Sequence, residues 1–180
     1  MPLLNSVTTP YAEAFLQVAN DLNQTEEIVS ETKEILQILS QSEELEKTLS
    51  SPILEKESKK KILIQLFSEK INHSLLNFLK LLADRQRIGI LTPILERFLE
   101  LYRENSNIAL ATVTSAVELS DEQKDLITKK IISIAGTEKL ELITKTDSTL
   151  IGGFVASVGS KVIDASLASQ IRKLGLTLSK

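Results

Sequence analysis

The chain reads as two domains of different class: an all-α six-helix bundle over residues 1–105, then a small α+β domain over 106–180. Three observations predict this division. Apolar residues recur at helical spacing through the first hundred positions. That spacing stops around Asn105-Ser106-Asn107. The run that follows, IALATVTSAV (108–117), is rich in β-branched residues and has no helical period.

The helical half follows from its caps and stripes. Thr9 is a candidate N-cap with Pro10 at the first helical position, where its missing N–H costs nothing. Tyr11, Ala14, Phe15, Val18, Ala19 and Leu22 then fall on one face of a first helix. Thr25 opens a second, with Ile28, Thr32, Ile35, Leu36 and Leu39 along one side. Ser42 and Ser51-Pro52 bound a short third helix around Leu45 and Leu49. Ile62, Leu63, Leu66 and Phe67 mark a fourth, and Leu75, Leu76, Leu79, Leu82 and Ala83 a fifth. Gly89 interrupts the pattern and Thr92-Pro93 restarts it, with Leu95, Phe98, Leu99 and Tyr102 inward. Short connections favour antiparallel neighbours and hence a bundle.

The second half reads strand, helix, strand, strand, strand, helix. Ser120 caps DEQKDLITKKIISIAG, whose early acids suit the positive helix end and whose Gly136 suits a left-handed stop. Leu126, Ile127, Ile131 and Ile134 form its apolar side. KLELITKT (139–146) is the next strand, and FVASV and KVID are two more, separated by Gly159-Ser160. Glycine at the first of two loop positions is what a tight II′ hairpin requires. Gly152-Gly153 marks a bend or close backbone approach, and Asp164 or Ser166 caps the last helix. Leu167, Ile171, Leu174 and Leu178 line one face of that helix.

Composition and motifs exclude most chemistry. The net charge is −3, with 12 basic against 16 acidic residues in 1–105 and 9 against 8 in 106–180, so neither half is basic enough to invite a polyanion. There is no cysteine, which removes disulfides and thiolate metal sites. No run approaches the roughly 18 apolar residues of a membrane span, and MPLLNSVTTP is not a secretory signal. Residues 150–166, LIGGFVASVGSKVIDAS, hold three of the six glycines beside Lys161, Asp164 and Ser166. A phosphate loop needs Gly, four residues, then Gly-Lys-Ser/Thr; here five residues separate Gly153 from Gly159, and Ser160 precedes Lys161. G-x-G-x-x-G and G-x-S-x-G are also absent. His73 is the single histidine, read as a helix-start or surface residue. Lys59-Lys60-Lys61 reads as the solvated side of a helix, and Glu26-Glu27 and Glu43-Glu44 as helix-start acids. No catalytic, cofactor-binding or metal-ligating residue is therefore assigned. A small enzyme built on the glycine stretch and Asp164, and an unrelated helix-binding scaffold, stay open as alternatives.

Four segments carry a resemblance: PYAEAF near the start, LLADRQRIGILTPILERFLELY, ATVTSAVELSDEQ, and DSTLIGGFVASVGSKVIDASLASQIRKL. In this order, over nearly the whole chain, they look like the F-type ATP synthase delta subunit, whose mitochondrial counterpart is the oligomycin sensitivity-conferring protein. The last segment is the most specific. The chain departs from common family forms at Gln86, where a glycine often precedes the arginine (here Arg87), and at Ser160 and Ala165, which replace a frequent acid and glycine. The Gly-Ser-Lys and Ile-Asp-Ala-Ser wording is similar to the cyanobacterial and plastid branch, which implies the cytoplasmic or stromal face of the thylakoid membrane.

The resemblance implies a non-catalytic stator subunit. Its helical domain would bind N-terminal helices of the alpha subunits on the catalytic head, and its C-terminal domain the ends of the b-type (b/b′) peripheral-stalk subunits. Membrane association would come only through these partners. For the alpha-helix groove the expected residues are Tyr11, Ala14, Phe15 and Val18 from the first helix, with Leu79, Leu82 and Ala83 from the fifth. Leu174 and Leu178 are the expected stalk contact. Gly152, Gly153, Gly159, Ser160, Asp164 and Ser166 form a hairpin-and-cap signature rather than a site.

Overall fold

The structure, a computed structural model, describes residues 2–137, 139–159 and 161–178, with side chains described for 6–134, 136–137, 139–159 and 161–172. The chain divides into two compact units, Met1–Tyr102 and Arg103–Lys180. The division falls inside the last turn of a helix rather than after Asn105. Arg103 already belongs with the second unit, where its guanidinium donates to the Glu141 carboxylate at 3.3 Å, with both side chains mostly buried.

The first unit contains α1 (Pro2–Asp21), α2 (Thr25–Gln41), α3 (Glu43–Ser50), α4 (Lys56–Phe67), α5 (His73–Asp84), a 3-10 turn (Ile88–Ile90) and α6 (Leu91–Asn105). The expected start of α1 at Thr9-Pro10 is not what forms: the helix begins at Pro2 and Pro10 lies inside it. An interior proline removes one hydrogen bond and costs about 3 kcal/mol. Packing on both sides offsets this, because Thr8, Ala12, Phe15, Leu16 and Ala19 are all buried while the Pro10 ring is exposed. Tyr11 is consequently mid-helix, not near a helix start.

The other helices stop and start by local chemistry. The Ser42 hydroxyl accepts the Leu45 N–H at 3.4 Å, and Asn72 Oδ1 accepts the Ser74 N–H at 2.9 Å. The Asn72 N–H donates to both Glu31 carboxylate oxygens at 2.8 Å, fastening the start of α5 to α2. At the end of α5 the Arg87 N–H donates to the Leu82 carbonyl and the Gln86 N–H to the Ala83 carbonyl, with Gln86 at φ +56°. That is a Schellman stop with glutamine where glycine is the usual choice. Phe15 stacks on Phe78 with ring centroids 4.1 Å apart and meets Phe98 at 5.2 Å, so α1, α5 and α6 share one core. Lys59, expected on a solvated face with Lys60 and Lys61, is instead buried. It falls four residues before Leu63 and eight before Phe67, on the inward side of α4.

The second unit contains β1 (Ile108–Ser115), α7 (Asp121–Ala135), β2 (Lys139–Thr146), β3 (Phe154–Val158), β4 (Lys161–Asp164) and α8 (Leu167–Leu178). The sheet order is β2-β1-β3-β4. Strands β1 and β2 are parallel, from Ile108 opposite Lys139 to Ser115 opposite Thr146, and α7 is the crossover that parallel neighbours need. The β1–β3 and β3–β4 pairs are antiparallel. Ser120 and Gln123 form a reciprocal capping box on α7, and Gly136 ends it at φ +72°. The core is Ala111, Val113, Ala156 and Val158 from the sheet with Ile127 and Ile131 from α7. Leu126 and Ile134, expected inward, are exposed, since only one of the adjacent pair Leu126-Ile127 can face the sheet.

Candidate functional site

The glycine-rich stretch is a structural joint. Val158 lies opposite Lys161, so Gly159 and Ser160 form the two-residue loop; Gly159 has φ +56°, and Ser160 lies outside the described residues. Gly153 has φ +78°, and a Cβ there would stand 3.0 Å from Ser166 Cα and closer still to the Ala165 carbonyl oxygen. The Gly152 carbonyl accepts the Leu167 N–H at 2.9 Å. Asp164 Oδ1 accepts the Ser166 N–H at 2.9 Å, and Ser166 Oγ accepts the Ser169 N–H at 3.3 Å, so Ser166 caps α8 while Asp164 shapes the turn before it. His73 is the exposed first residue of α5. Glu27 and Glu31 are spent on Asn72, whose Nδ2 donates to Glu27 at 3.2 Å. Burial is the largest influence on the Glu31 carboxyl and raises its pKa; the Asn72 N–H opposes this, and Glu27 and Glu34 add to it.

What the first unit offers is surface. Two apolar stripes run along α1 and share Phe15 and Ala19. One adds Thr8, Ala12 and Leu16 and is buried; the other adds Ala14, Val18 and Leu22, all exposed, with Val18 at 46% and Leu22 at 50%. Tyr11 is half-buried against the core edge. Of the seven residues expected in a groove, then, Ala14, Val18 and Tyr11 reach the surface. Phe15, Leu79, Leu82 and Ala83 are in the core, because the stripe that packs is rotated from the predicted one and α5 buries most of its apolar side chains. Leu81, three residues beyond Phe78, is exposed on α5 and was not anticipated; its position one residue from Leu82 is the signal.

The second unit also leaves apolar side chains unburied. Val117, Leu126 and Ile151 are each about two-thirds exposed or more around a cleft of about 400 Å³, floored by Leu119, Gly152 and Phe154. Sequence reading singles out neither Val117 nor Ile151, and it places Leu126 inward. On α8, Leu167 and Ile171 are exposed. Leu174 and Leu178 lie on the same helix, but their side chains are outside the described residues.

Comparison with known proteins bears on what these exposed apolar faces are for. The family described as ATP synthase delta (OSCP) subunit matches residues 7–178. The chain belongs to that family. The ATP synthase subunit delta of Prochlorococcus marinus strain AS9601 is 81% identical over 180 residues, covering both chains in full. That of strain NATL2A is 58% identical, covering all of this chain and 99% of the relative. A chain in the cryo-EM structure of the Toxoplasma gondii mitochondrial ATP synthase hexamer matches with a TM-score of 0.71 at 21% identity, covering 96% of this chain and 97% of that one, a likeness of fold. The delta subunit is a non-catalytic, structural component of the stator of F-type ATP synthase. Among the described residues no helix is long and apolar enough to cross a membrane.

Proposed function

We propose that this delta subunit is the joint between the catalytic head and the peripheral stalk. The helical unit, read as a six-helix bundle, takes the N-terminal helices of alpha subunits, and the α+β unit takes the ends of b-type stalk chains. The observation that carries this reading is the second apolar stripe of α1: Ala14 and Val18, continued by Leu22 just past the helix end, stand in solvent at four-residue intervals, beside the half-buried Tyr11. An amphipathic partner helix laid along it gains about 25 cal/mol for each Å² covered. Alanine at 14 lets the partner backbone come close. A seam made of many apolar contacts resists shear better than a few directed bonds, which suits a part that carries load.

On the stalk side, Leu167 and Ile171 are exposed on α8, the helix to which Leu174 and Leu178 also belong. The cyanobacterial relatives and the branch-like wording near the C-terminus support a place on the cytoplasmic or stromal face of the thylakoid membrane, reached through partners.

The test is co-sedimentation of the full chain with purified synthase head, with and without Val18→Asp. Val18 is exposed, so the variant should keep its helical circular dichroism while losing head binding at least tenfold. Unchanged sedimentation of the variant would remove α1 as the head-binding face.

A further inference from the structure

Of three consecutive lysines on α4, two are accounted for. Lys60 is ion-paired with Asp84 and with Glu57, and Lys61 is exposed. Lys59 is neither: it is 9% exposed, and its side chain has no hydrogen bond or ion pair among the described residues. Its ammonium is nevertheless not sealed off, since it is absent from the fully enclosed, unpartnered polar atoms of the structure. It lines a cavity of about 310 Å³ between the α3–α4 loop and the end of α5. A lysine that is largely buried and has no protein partner for its charge is open to an outside one.

The same cavity is bordered by the start of α4. Glu55, the residue before the helix, makes no side-chain cap. The Lys59 N–H is taken by the Glu55 carbonyl, whereas the N–H of Lys56, on the cavity wall, has no acceptor in any described turn or loop. Ser50, Lys56 and Gln86 add polar walls, and Glu55 is the one acid. Two lysines against one carboxylate leave one positive charge, reinforced by the positive end of the helix dipole. An open helix-start N–H beside a lysine supplies the elements of a phosphate seat.

We propose that this cavity is an oxyanion site that takes a phosphate group, held by the Lys59 ammonium and the open Lys56 N–H at the start of α4. Lysine acts here as a point charge, and the Lys56 amide supplies direction. Glu55 at the mouth opposes the anion and limits its affinity.

The test is titration of the isotope-labelled full chain with inorganic phosphate, followed by amide chemical shifts, against chloride at equal ionic strength. Saturable shifts at the cavity-lining amides of Lys56, Gln86 and Gly89 with phosphate alone are expected. Shifts that are linear, or equal with chloride, overturn the site without reference to any variant. Lys59→Met keeps the apolar stem, should retain the urea midpoint or raise it, and should weaken phosphate at least tenfold; undiminished binding would refute the role of Lys59. Glu55→Gln should tighten phosphate severalfold, and weaker binding in that variant would place the anion elsewhere.

Discussion

Replacing Gly153 with alanine isolates what the glycine-rich stretch is for. Two costs add. The residue sits at φ +78°, and an L-residue in the left-handed region gives up about 1–2 kcal/mol. The new methyl group would also stand 3.0 Å from Ser166 Cα, with the Ala165 carbonyl nearer still, and both obstacles are backbone. The segment entering α8 must therefore move, and overpacking of this kind costs about 1–3 kcal/mol. Gly153→Ala should thus destabilise the second unit by about 2–5 kcal/mol. Two neighbours calibrate the figure. At Gly152 the obstacle is the Leu167 Cδ1, the end of a flexible side chain, so the loss should be smaller. At Gly159 nothing lies within 4 Å and only the backbone term remains, about 1 kcal/mol. Hydrogen exchange of β3 and β4 amides in the three variants is the assay, because it reads this unit directly; both tyrosines lie in the other. Equal losses at 153 and 159 would refute the close-approach argument, leaving only a conformational one.

Three further outcomes follow from the first unit. Phe15→Ala removes a ring stacked on Phe78 and should cost about 3–5 kcal/mol in urea unfolding, whereas a surface role would cost less than about 1. Gln86→Gly should raise stability by about 0.5–1 kcal/mol, as relief of about 1–2 kcal/mol of left-handed strain is partly offset by the greater freedom of unfolded glycine; a lowered urea midpoint would show that the glutamine side chain matters more than its φ. The Glu31 carboxyl has a raised folded-state pKa, so the native state binds its proton more tightly than the unfolded chain does. Its contribution to stability is complete below about pH 4.5 and is lost as pH rises through the folded value. The stability of wild type relative to Glu31→Gln should accordingly fall between pH 4.5 and neutrality, and a flat or rising difference would contradict the burial assigned to this group.

The elements were legible wherever a side chain makes its own boundary. Ser42, Ser120, Gly136 and Ser166 act in the structure through the bonds their types suggest. The hairpin was legible because a two-residue loop with glycine leaves few options. What could not be read was which of two equivalent faces packs. On α1 the stripes through Ala12-Leu16 and through Ala14-Val18 both have helical spacing, and only the packed core decides between them. The start of α1 was misplaced for a related reason: Pro10 looks like a first-turn proline, and burial of Thr8 behind it is a tertiary fact. Lys59 was hidden among identical neighbours, since nothing local distinguishes the lysine that turns inward. The expected groove residues suffered most, because a partner surface consists of what the fold leaves over.

The sheet order has a consequence for solubility. It puts β2 and β4 at the two edges, where unpaired backbone groups can recruit strands from other molecules. Edge β4 is only four residues long and carries Lys161 and Asp164 at its ends. Edge β2 carries Lys139, Glu141 and Lys145. Short length and charge both discourage growth into fibrils. With strand addition blunted at either margin, the apolar helical faces are left as the adhesive part of the molecule.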